Sequence, residues 1–409
     1  MATFGLVVGG GPAPGINGVI SSATLAARQQ GARVIGILQG FEWLMQGDTT
    51  QVVELDGEAV ARIHELGGSL LRTSRANPTR DPKNLERVVE GLAKLGIDHL
   101  ISIGGDDTCF SAKTVAEAAG DALRVAHVPK TIDNDLPLPP GIPTFGFETA
   151  RDKASKILTT LFEDARTSKR WFIVTLMGRN AGHLALGAAH SAGSTLALLA
   201  EEVAAEVGSR KIGLDPLARK VEGSILKSTA LGSPHGVVVL AEGLGECLDP
   251  AELPDLPLDE HGHIRLAELP LGHLIRERVY VSLEEHGIEA TIIVKDVGYE
   301  LRCISPNAFD RDYTRDLGAG AVNTLLGGTS NVMITRQNQT IVPIPFGDIL
   351  DPETGKTRVR MLDIETESFA NARALQTRLT PDDFEDVEFA EKLARTSILD
   401  LDMLKKRFA

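Results

Sequence analysis

The sequence predicts an α/β protein built from two doubly wound lobes, each around a parallel sheet. Short apolar runs without alternation, such as FGLVV and HLISI, are what strands covered on both faces look like. Each run alternates with a helix-like segment of about 10–15 residues, the pattern of βαβ units. The alternation fills 409 residues in two successive series, whereas a single core usually stops growing near about 250–300 residues.

The first series reads strand 4–11, helix 17–30, strand 32–38, helix 84–95, strand 99–105, helix 108–119 and strand 123–130. The second starts after Pro143 with helix 147–167, strand 171–178, helix 181–192, strand 195–202 and helix 214–229. It continues with strand 236–243, helix 268–286 and strand 289–299. A hairpin is expected at 332–346 and an amphipathic helical tail at 382–408. The proline- and acid-rich stretch 247–263 reads as a surface excursion.

Composition narrows the classes. Apolar residues make up 43% and charged residues 24% of the chain, which is ordinary soluble-globular usage. No apolar run reaches the roughly 18 residues of a membrane span, and the N-terminus has no basic region or small-residue cleavage site, so no signal peptide is read. Three cysteines without a C-x-x-C pair suit a reducing, cytoplasmic setting. Cys109, beside one of the motifs below, reads as a small buried thiol. A net charge of −14 disfavours nucleic acid and anionic membranes as partners. It also requires any anion site to draw on local cations, which cluster at Arg72, Arg75 and Arg80, at Arg166, Lys169 and Arg170, and at Arg179.

Five motifs stand at strand ends, where ligands of open α/β sheets bind. GGGPAPGIN (9–17) offers close backbone approach and helix-start N–H groups to an anion, as any glycine-rich βα turn does. GGDDT (104–108) places two adjacent carboxylates after two glycines. That suits Mg²⁺, which takes one or two carboxylates plus phosphate oxygens; the alternative is that Asp106 or Asp107 merely caps the following helix. PKTIDND (129–135) supplies Lys130, Thr131, Asp133 and Asp135 in seven residues. Phosphoryl transfer to a hydroxyl needs such a carboxylate as proton acceptor and such a cation to spread charge. MGRNAGH (177–183) offers Arg179 to a phosphate, or is an ordinary surface arginine; His183 reads as structural. AEG (241–243) and GYELR (298–302) add Glu242 for sugar hydroxyls and Tyr299 and Arg302 for a sugar phosphate.

In this order the five motifs resemble the phosphofructokinase superfamily over roughly residues 4–330. NAD kinases and lipid kinases share a GGD motif but lack the PKTIDND and MGR pair. The resemblance implies two phosphofructokinase-like lobes with the active site in the cleft between them. It makes the domains discontinuous: a donor lobe of 1–141 plus about 303–355, and a sugar-phosphate lobe of 142–302 plus about 356–409. By motif, Gly11 would lie against the donor phosphate, joined on the donor side by Arg75, Asp107, Thr108 and Lys130. Asp106 would hold Mg²⁺. Thr131 would contact the transferring phosphate, Asp133 would be the base, and Arg179 would stabilise the group in flight. Asp135, Met177 and Gly178 would touch the sugar, with Glu242, Tyr299 and Arg302 on the sugar phosphate. Arg170 matches an arginine that reaches a neighbouring subunit's site, which implies a homodimer or homotetramer.

Two positions bear on the donor. ATP-using members look like GGDG and usually PGTIDND, whereas this chain has Asp107 and Lys130 in place of those glycines. A carboxylate at 107 would repel the α-phosphate of ATP; like charges about 4 Å apart cost on the order of 1–4 kcal/mol. A lysine at 130 would neutralise pyrophosphate. Both changes resemble the pyrophosphate-dependent branch. It makes fructose 1,6-bisphosphate from fructose 6-phosphate, reversibly, in glycolysis and gluconeogenesis. The chain reads GYELRCI where bacterial members usually read GHxQRGG. A second neighbour-subunit arginine has no match in register, Lys295 coming two positions late.

Rival expectations are an ATP-dependent enzyme of the same fold, or one preferring another sugar phosphate such as sedoheptulose 7-phosphate. A non-catalytic regulatory subunit should have lost Asp106, Asp133 and Arg179, and all three are present. A dinucleotide-binding oxidoreductase fits poorly, because Pro12 and Pro14 interrupt G-x-G-x-x-G, and no acidic residue ends the second strand.

Overall fold

Strands form where the sequence places unbroken apolar runs, and the structure, a computed structural model, describes residues 1–208, 211–254, 266–353, 355 and 357–408. They are β1 (Thr3–Val8), β2 (Arg33–Ile37), β3 (Val52–Glu54), β4 (His99–Gly104), β5 (Arg124–Thr131), β6 (Phe145–Gly146), β7 (Trp171–Leu176), β8 (Leu196–Leu198), β9 (Gly236–Ala241), β10 (Ile292–Val297), β11 (Val332–Gln337) and β12 (Thr340–Pro345). The chain divides into two compact units, Met1–Ala150 with Tyr299–Arg360, and Arg151–Gly298 with Met361–Ala409.

The sheet of the first unit runs β12-β11-β5-β4-β1-β2-β3, with β6 also paired to β5. It is parallel from β11 through β2. One edge strand departs from the parallel expectation: β3 runs antiparallel to β2. At the other edge β12 runs antiparallel to β11, the hairpin expected at 332–346. No crossover helix separates β11 from β12. Asn338 and Gln339, both at positive φ, turn the chain in two residues, the geometry of a tight hairpin.

Covered faces explain the unbroken apolar runs. Successive strand side chains point to opposite faces. Leu6, Val34 and Ile101 join a core with the helices Ile16–Gln29 and Ala308–Leu326. Their neighbours Val7, Ile35 and Leu100 join a second core with Pro82–Lys94 and Asp106–Ala119. The helices Ile16–Gln29 and Ala308–Leu326 approach closely through glycines. A Cβ at Gly18 would lie 2.2 Å from the Thr314 hydroxyl, and one at Gly318 would lie 2.1 Å from that of Ser22.

The second unit holds a wholly parallel sheet, β10-β7-β9-β8. Trp171, Ile173, Val238 and Leu240 pack there against the helices Leu214–Ala230 and Leu271–His286.

Three segments differ from their expected form. The run 195–202 is strand only to Leu198; Ala200–Val207 is helical, because Glu201 and Glu202 stand in a first turn that favours acidic residues. The tail 382–408 is two helices, Val387–Thr396 and Leu401–Phe408, interrupted where Ser397 adopts an extended backbone and its hydroxyl accepts from Leu399 N. The excursion expected at 247–263 begins with a helical turn, Leu244–Cys247, and a 3₁₀ turn, Pro250–Glu252; its residues 255–263 lie outside the described residues.

Candidate active site

In the first unit three motifs end the adjacent strands β1, β4 and β5. Gly9 N donates to Ile103 O, and Gly10 N donates to Ser74 O, each at 2.9 Å. The glycine turn is thereby stitched to β4 and to the residue before Arg75, whose own side chain is exposed. Thr108 is buried between two of these turns. A Cβ at Gly9 or Gly104 would lie 2.4 or 2.3 Å from its side chain. Both motifs open on glycine for that reason, and Thr108 packs them together. Beneath them, buried His127 on β5 pairs with the Ser102 hydroxyl at 2.6 Å and the Gly104 carbonyl at 3.0 Å. Burial presses its pKa down to about 3, so the ring stays neutral and Nε2–H donates to Gly104 O.

Two cations converge on Gly11. Lys130 is 4% exposed, and its Nζ donates to Gly11 O at 2.5 Å. The Arg302 guanidinium packs on the same residue: a Cβ at Gly11 would lie 1.9 Å from Nη2. Arg302 lies 5.4 Å from the Tyr299 ring centroid, and its Nε is buried without a hydrogen-bond partner among the described residues. Burial first, then the charge of Arg302, lowers the Lys130 pKa to about 8, against the opposing pull of Asp133, Asp106 and Asp135.

Carboxylates crowd beside this pair. Gly105 occupies the cap position of the helix Asp106–Ala119, so neither Asp106 nor Asp107 is the N-cap; both stand in its first turn. Asp106 is exposed, yet the groups around its carboxylate strip much of its hydration. That desolvation, then Asp107 and Asp135, raises its pKa to about 6. Among the described residues no three His, Cys, Asp or Glu form a ready metal cage. One carboxylate under like-charge pressure suits a cation such as Mg²⁺, which takes its other ligands from water and phosphate.

The segment after β5 is tightly folded. The Thr131 hydroxyl accepts from Asp133 N at 3.0 Å, and Thr131 O accepts from the Thr144 hydroxyl at 2.8 Å. Asn134, between the two aspartates, adopts a left-handed φ of 58°. Arg360, outside every motif, donates to its carbonyl.

In the second unit the turns after β7, β9 and β10 bring Met177, Gly178, Arg179 and Glu242 together. Glu242 accepts from Gly178 N at 3.0 Å. Gly178 has φ 147°. A Cβ at Gly243 would lie 2.7 Å from Arg179 O, and one at Gly298 would lie 2.8 Å from Met177 Cε. Glu201 Oε1 accepts from Gly182 N at 2.8 Å and from Leu362 N at 3.1 Å. Arg170 is not part of this group within its own unit. It precedes β7 at the opposite end from Met177 and pairs with Asp164 at 3.4 Å. Tyr299 and Arg302 belong to the first unit, with Arg302 beside Gly11.

Sequence reasoning missed Arg360, Asn134, Thr144, His127 and Glu201. Asn134 alone left a trace, as an asparagine flanked by aspartates.

Comparison with known proteins adds four findings. A family model described as Phosphofructokinase matches residues 3–325. A relative from Naegleria fowleri named pyrophosphate–fructose 6-phosphate 1-phosphotransferase is 47% identical over 414 residues, 99% of this chain and 95% of its own. A Thermotoga maritima protein of the same name is 45% identical over 413 residues, 99% of this chain and 97% of its own. Among solved structures, the pyrophosphate-dependent phosphofructokinase from Marinobacter aquaeolei superposes with a TM-score of 0.69 at 16% identity, over 96% of this chain and 91% of that one. No helix among the described residues is long and apolar enough to cross a membrane.

Proposed function

This chain belongs to the phosphofructokinase family, and from that premise we propose that it transfers a phosphoryl group from pyrophosphate to the 1-hydroxyl of fructose 6-phosphate. The products are fructose 1,6-bisphosphate and inorganic phosphate, and the reaction runs reversibly in glycolysis and gluconeogenesis. The observation that carries the donor assignment is the pair Asp107 and Lys130. Asp107 is exposed beside Asp106, and Lys130 donates to the carbonyl of Gly11. A pyrophosphate tail ends where Lys130 offers positive charge. An ATP α-phosphate would have to pass the Asp107 carboxylate. The likeness to two relatives named for pyrophosphate supports the same reading.

In this mechanism Asp133 accepts the proton of the sugar 1-hydroxyl as its oxygen bonds to phosphorus and the bridging P–O bond breaks. Lys130, Thr131 and Arg179 carry charge on the moving phosphoryl group, and Arg75 and the backbone at Gly11 hold the phosphate left behind. Asp135, Met177, Gly178 and Glu242 orient the sugar, with Tyr299 and Arg302 on its phosphate. Mg²⁺, held through Asp106, would neutralise the donor oxygens when bound. Arg170, away from Met177 on its own strand, serves a neighbouring subunit in a homodimer or homotetramer. The three free cysteines suit a cytoplasmic enzyme.

Steady-state assays with fructose 6-phosphate, Mg²⁺ and either pyrophosphate or ATP test the proposal. Turnover with pyrophosphate and little or none with ATP is expected. Preference for ATP leaves only a sugar-phosphate kinase, and preference for sedoheptulose 7-phosphate replaces the acceptor.

A further inference from the structure

Arg360 holds the segment that carries the base. Its Nε and Nη2 donate to the Asn134 carbonyl at 3.1 and 2.9 Å, and Nη2 also donates to Asn134 Oδ1. Nη1 donates to Leu138 O at 3.3 Å and Ile142 O at 2.8 Å. Its backbone N donates to Asp135 O at 2.7 Å. One side chain thus ties both ends of the loop that follows β5. The position it grips is the strained one. A left-handed backbone is uncommon for residues other than glycine, asparagine being among the most tolerant, and Asn134 adopts it at φ 58°.

Asn134 has a second restraint: its Oδ1 accepts from Thr144 N at 3.0 Å. Asn134 stands between Asp133 and Asp135, so restraint of its left-handed turn restrains the backbone that carries both carboxylates. The segment that carries Arg360 also touches the other acidic turn, since the Thr357 hydroxyl donates to Asp106 O at 3.4 Å. Burial lowers the Arg360 pKa while Asp135 raises it, but an arginine remains charged at any pH of interest. Five donors in a rigid fork suit four converging acceptors, which a lysine could not serve together.

We infer that Arg360 is a positioning residue for phosphoryl transfer: it fixes the left-handed turn at Asn134 and through it the direction of Asp133. This rests on the reading of Asp133 as the base. Displacement of a reacting group by about 1 Å costs on the order of 100-fold in rate, so relaxing the turn should lower kcat more than it weakens donor binding at Gly11 and Lys130.

The test compares Arg360→Lys and Asn134→Gly in wild-type and Asp133→Ala backgrounds, by kcat, by KM for pyrophosphate and by thermal unfolding. Asn134→Gly keeps the left-handed backbone accessible and removes the Oδ1 acceptor. Arg360→Lys should lower kcat about 10- to 100-fold, with KM for pyrophosphate within about threefold. Asn134→Gly should lower kcat about 3- to 10-fold in the same sense. In the Asp133→Ala background both should change the residual kcat by less than about threefold, because the group they position is gone. A folded Arg360→Lys enzyme with kcat within about twofold of wild type, or a loss just as large without Asp133, overturns the inference while the base reading stands. Near-normal turnover of Asp133→Ala itself overturns the base reading and the inference with it. If Arg360→Lys does not fold, Asn134→Gly alone decides by the same comparison.

Discussion

The turns at the strand ends differ between the two units in how their charges are satisfied. In the first unit, like charges crowd together. Lys130 and Arg302 converge on Gly11, and desolvation, with the charges of Asp107 and Asp135 added to it, raises the Asp106 pKa to about 6. In the second unit, the carboxylates of Glu242 and Glu201 bond the backbone N–H groups of Gly178 and Gly182 and shape the chain around Arg179. Like charges held close cost free energy unless an opposite charge arrives. A carboxylate on backbone N–H groups already has its partners. The difference teaches where to look: crowded like charges mark the place where a charged ligand and its chemistry belong, and backbone-bound carboxylates shape the chain that presents neighbouring groups, Glu201 as scaffold alone.

The comparison breaks most visibly at Asp133. If chemistry resides with the crowded charges, Asp133→Ala should lose about 10²–10⁴ in kcat while KM changes little, since a base acts mainly in the transition state. Pre-steady-state and steady-state rates on a variant with a normal unfolding transition check this. Turnover near the wild-type value removes Asp133 as the base.

The donor argument sharpens the contrast further. Asp107→Gly should raise the ATP/pyrophosphate ratio of kcat/KM by roughly 10- to 1000-fold, the factor that corresponds to about 1–4 kcal/mol of like-charge repulsion. Adding Lys130→Gly should shift the preference again and non-additively, because both side chains would face one donor. An unchanged ratio in Asp107→Gly would assign donor choice to other residues.

The strand and helix order was legible because strands buried on both faces must be apolar throughout, as Leu6 and Val7 show by joining opposite cores. The hairpin of β11 and β12 was legible at one edge. Antiparallel β3 at the other was not, because three residues pairing with β2 leave little mark in a sequence. At the site, the sequence marked where the turns fall, because the glycines lie at the ends of apolar runs; Gly9 and Gly104 make room there for Thr108. Arg360 and Glu201 could not be read. Each acts on backbone far away in sequence, Arg360 on Asn134 and Glu201 on Gly182 and Leu362, and no spacing rule connects such pairs. Order along the chain joins Arg302 to the sugar-phosphate lobe, whereas in the structure it packs on Gly11 within the first unit.

Lys130 tests whether the crowding carries a cost. Its pKa falls to about 8 from the ordinary 10.5. The native state therefore binds fewer protons than the unfolded chain between those values, and stability must rise with pH through that window. Lys130→Met abolishes this titration. Without ligand, wild type should gain about 3 kcal/mol relative to Lys130→Met between pH 8 and 10.5, read from denaturant unfolding at fixed salt. Below pH 8 the difference between the two should be flat. A flat difference across the whole range means that Lys130 is not penalised and that the crowding is balanced within the protein. Pyrophosphate should reverse the trend, because an anion at the ammonium raises its pKa and binding near pH 8–9 then takes up protons.

Glu201 tests the other half of the comparison, with the smallest effect. It is 8% exposed, and one oxygen, Oε1, accepts both backbone N–H groups while Oε2 is buried without a hydrogen-bond partner among the described residues. If this carboxylate is scaffold, its value lies in one acceptor position and not in its charge. Glu201→Ala leaves two donors unserved and should destabilise by about 1–3 kcal/mol, the range for a buried group stripped of its partner. Glu201→Gln keeps a carbonyl oxygen able to serve both and should cost less than half as much. Its amide nitrogen enters a place that offered Oε2 no donor, so the cost should not vanish. In activity, Glu201→Ala should raise KM for fructose 6-phosphate, because the MGRNAG turn slackens, and leave KM for pyrophosphate within about twofold. Should Glu201→Gln prove as damaging as Glu201→Ala, the charge itself is needed, and the division between crowded and backbone-bound charges fails at this residue.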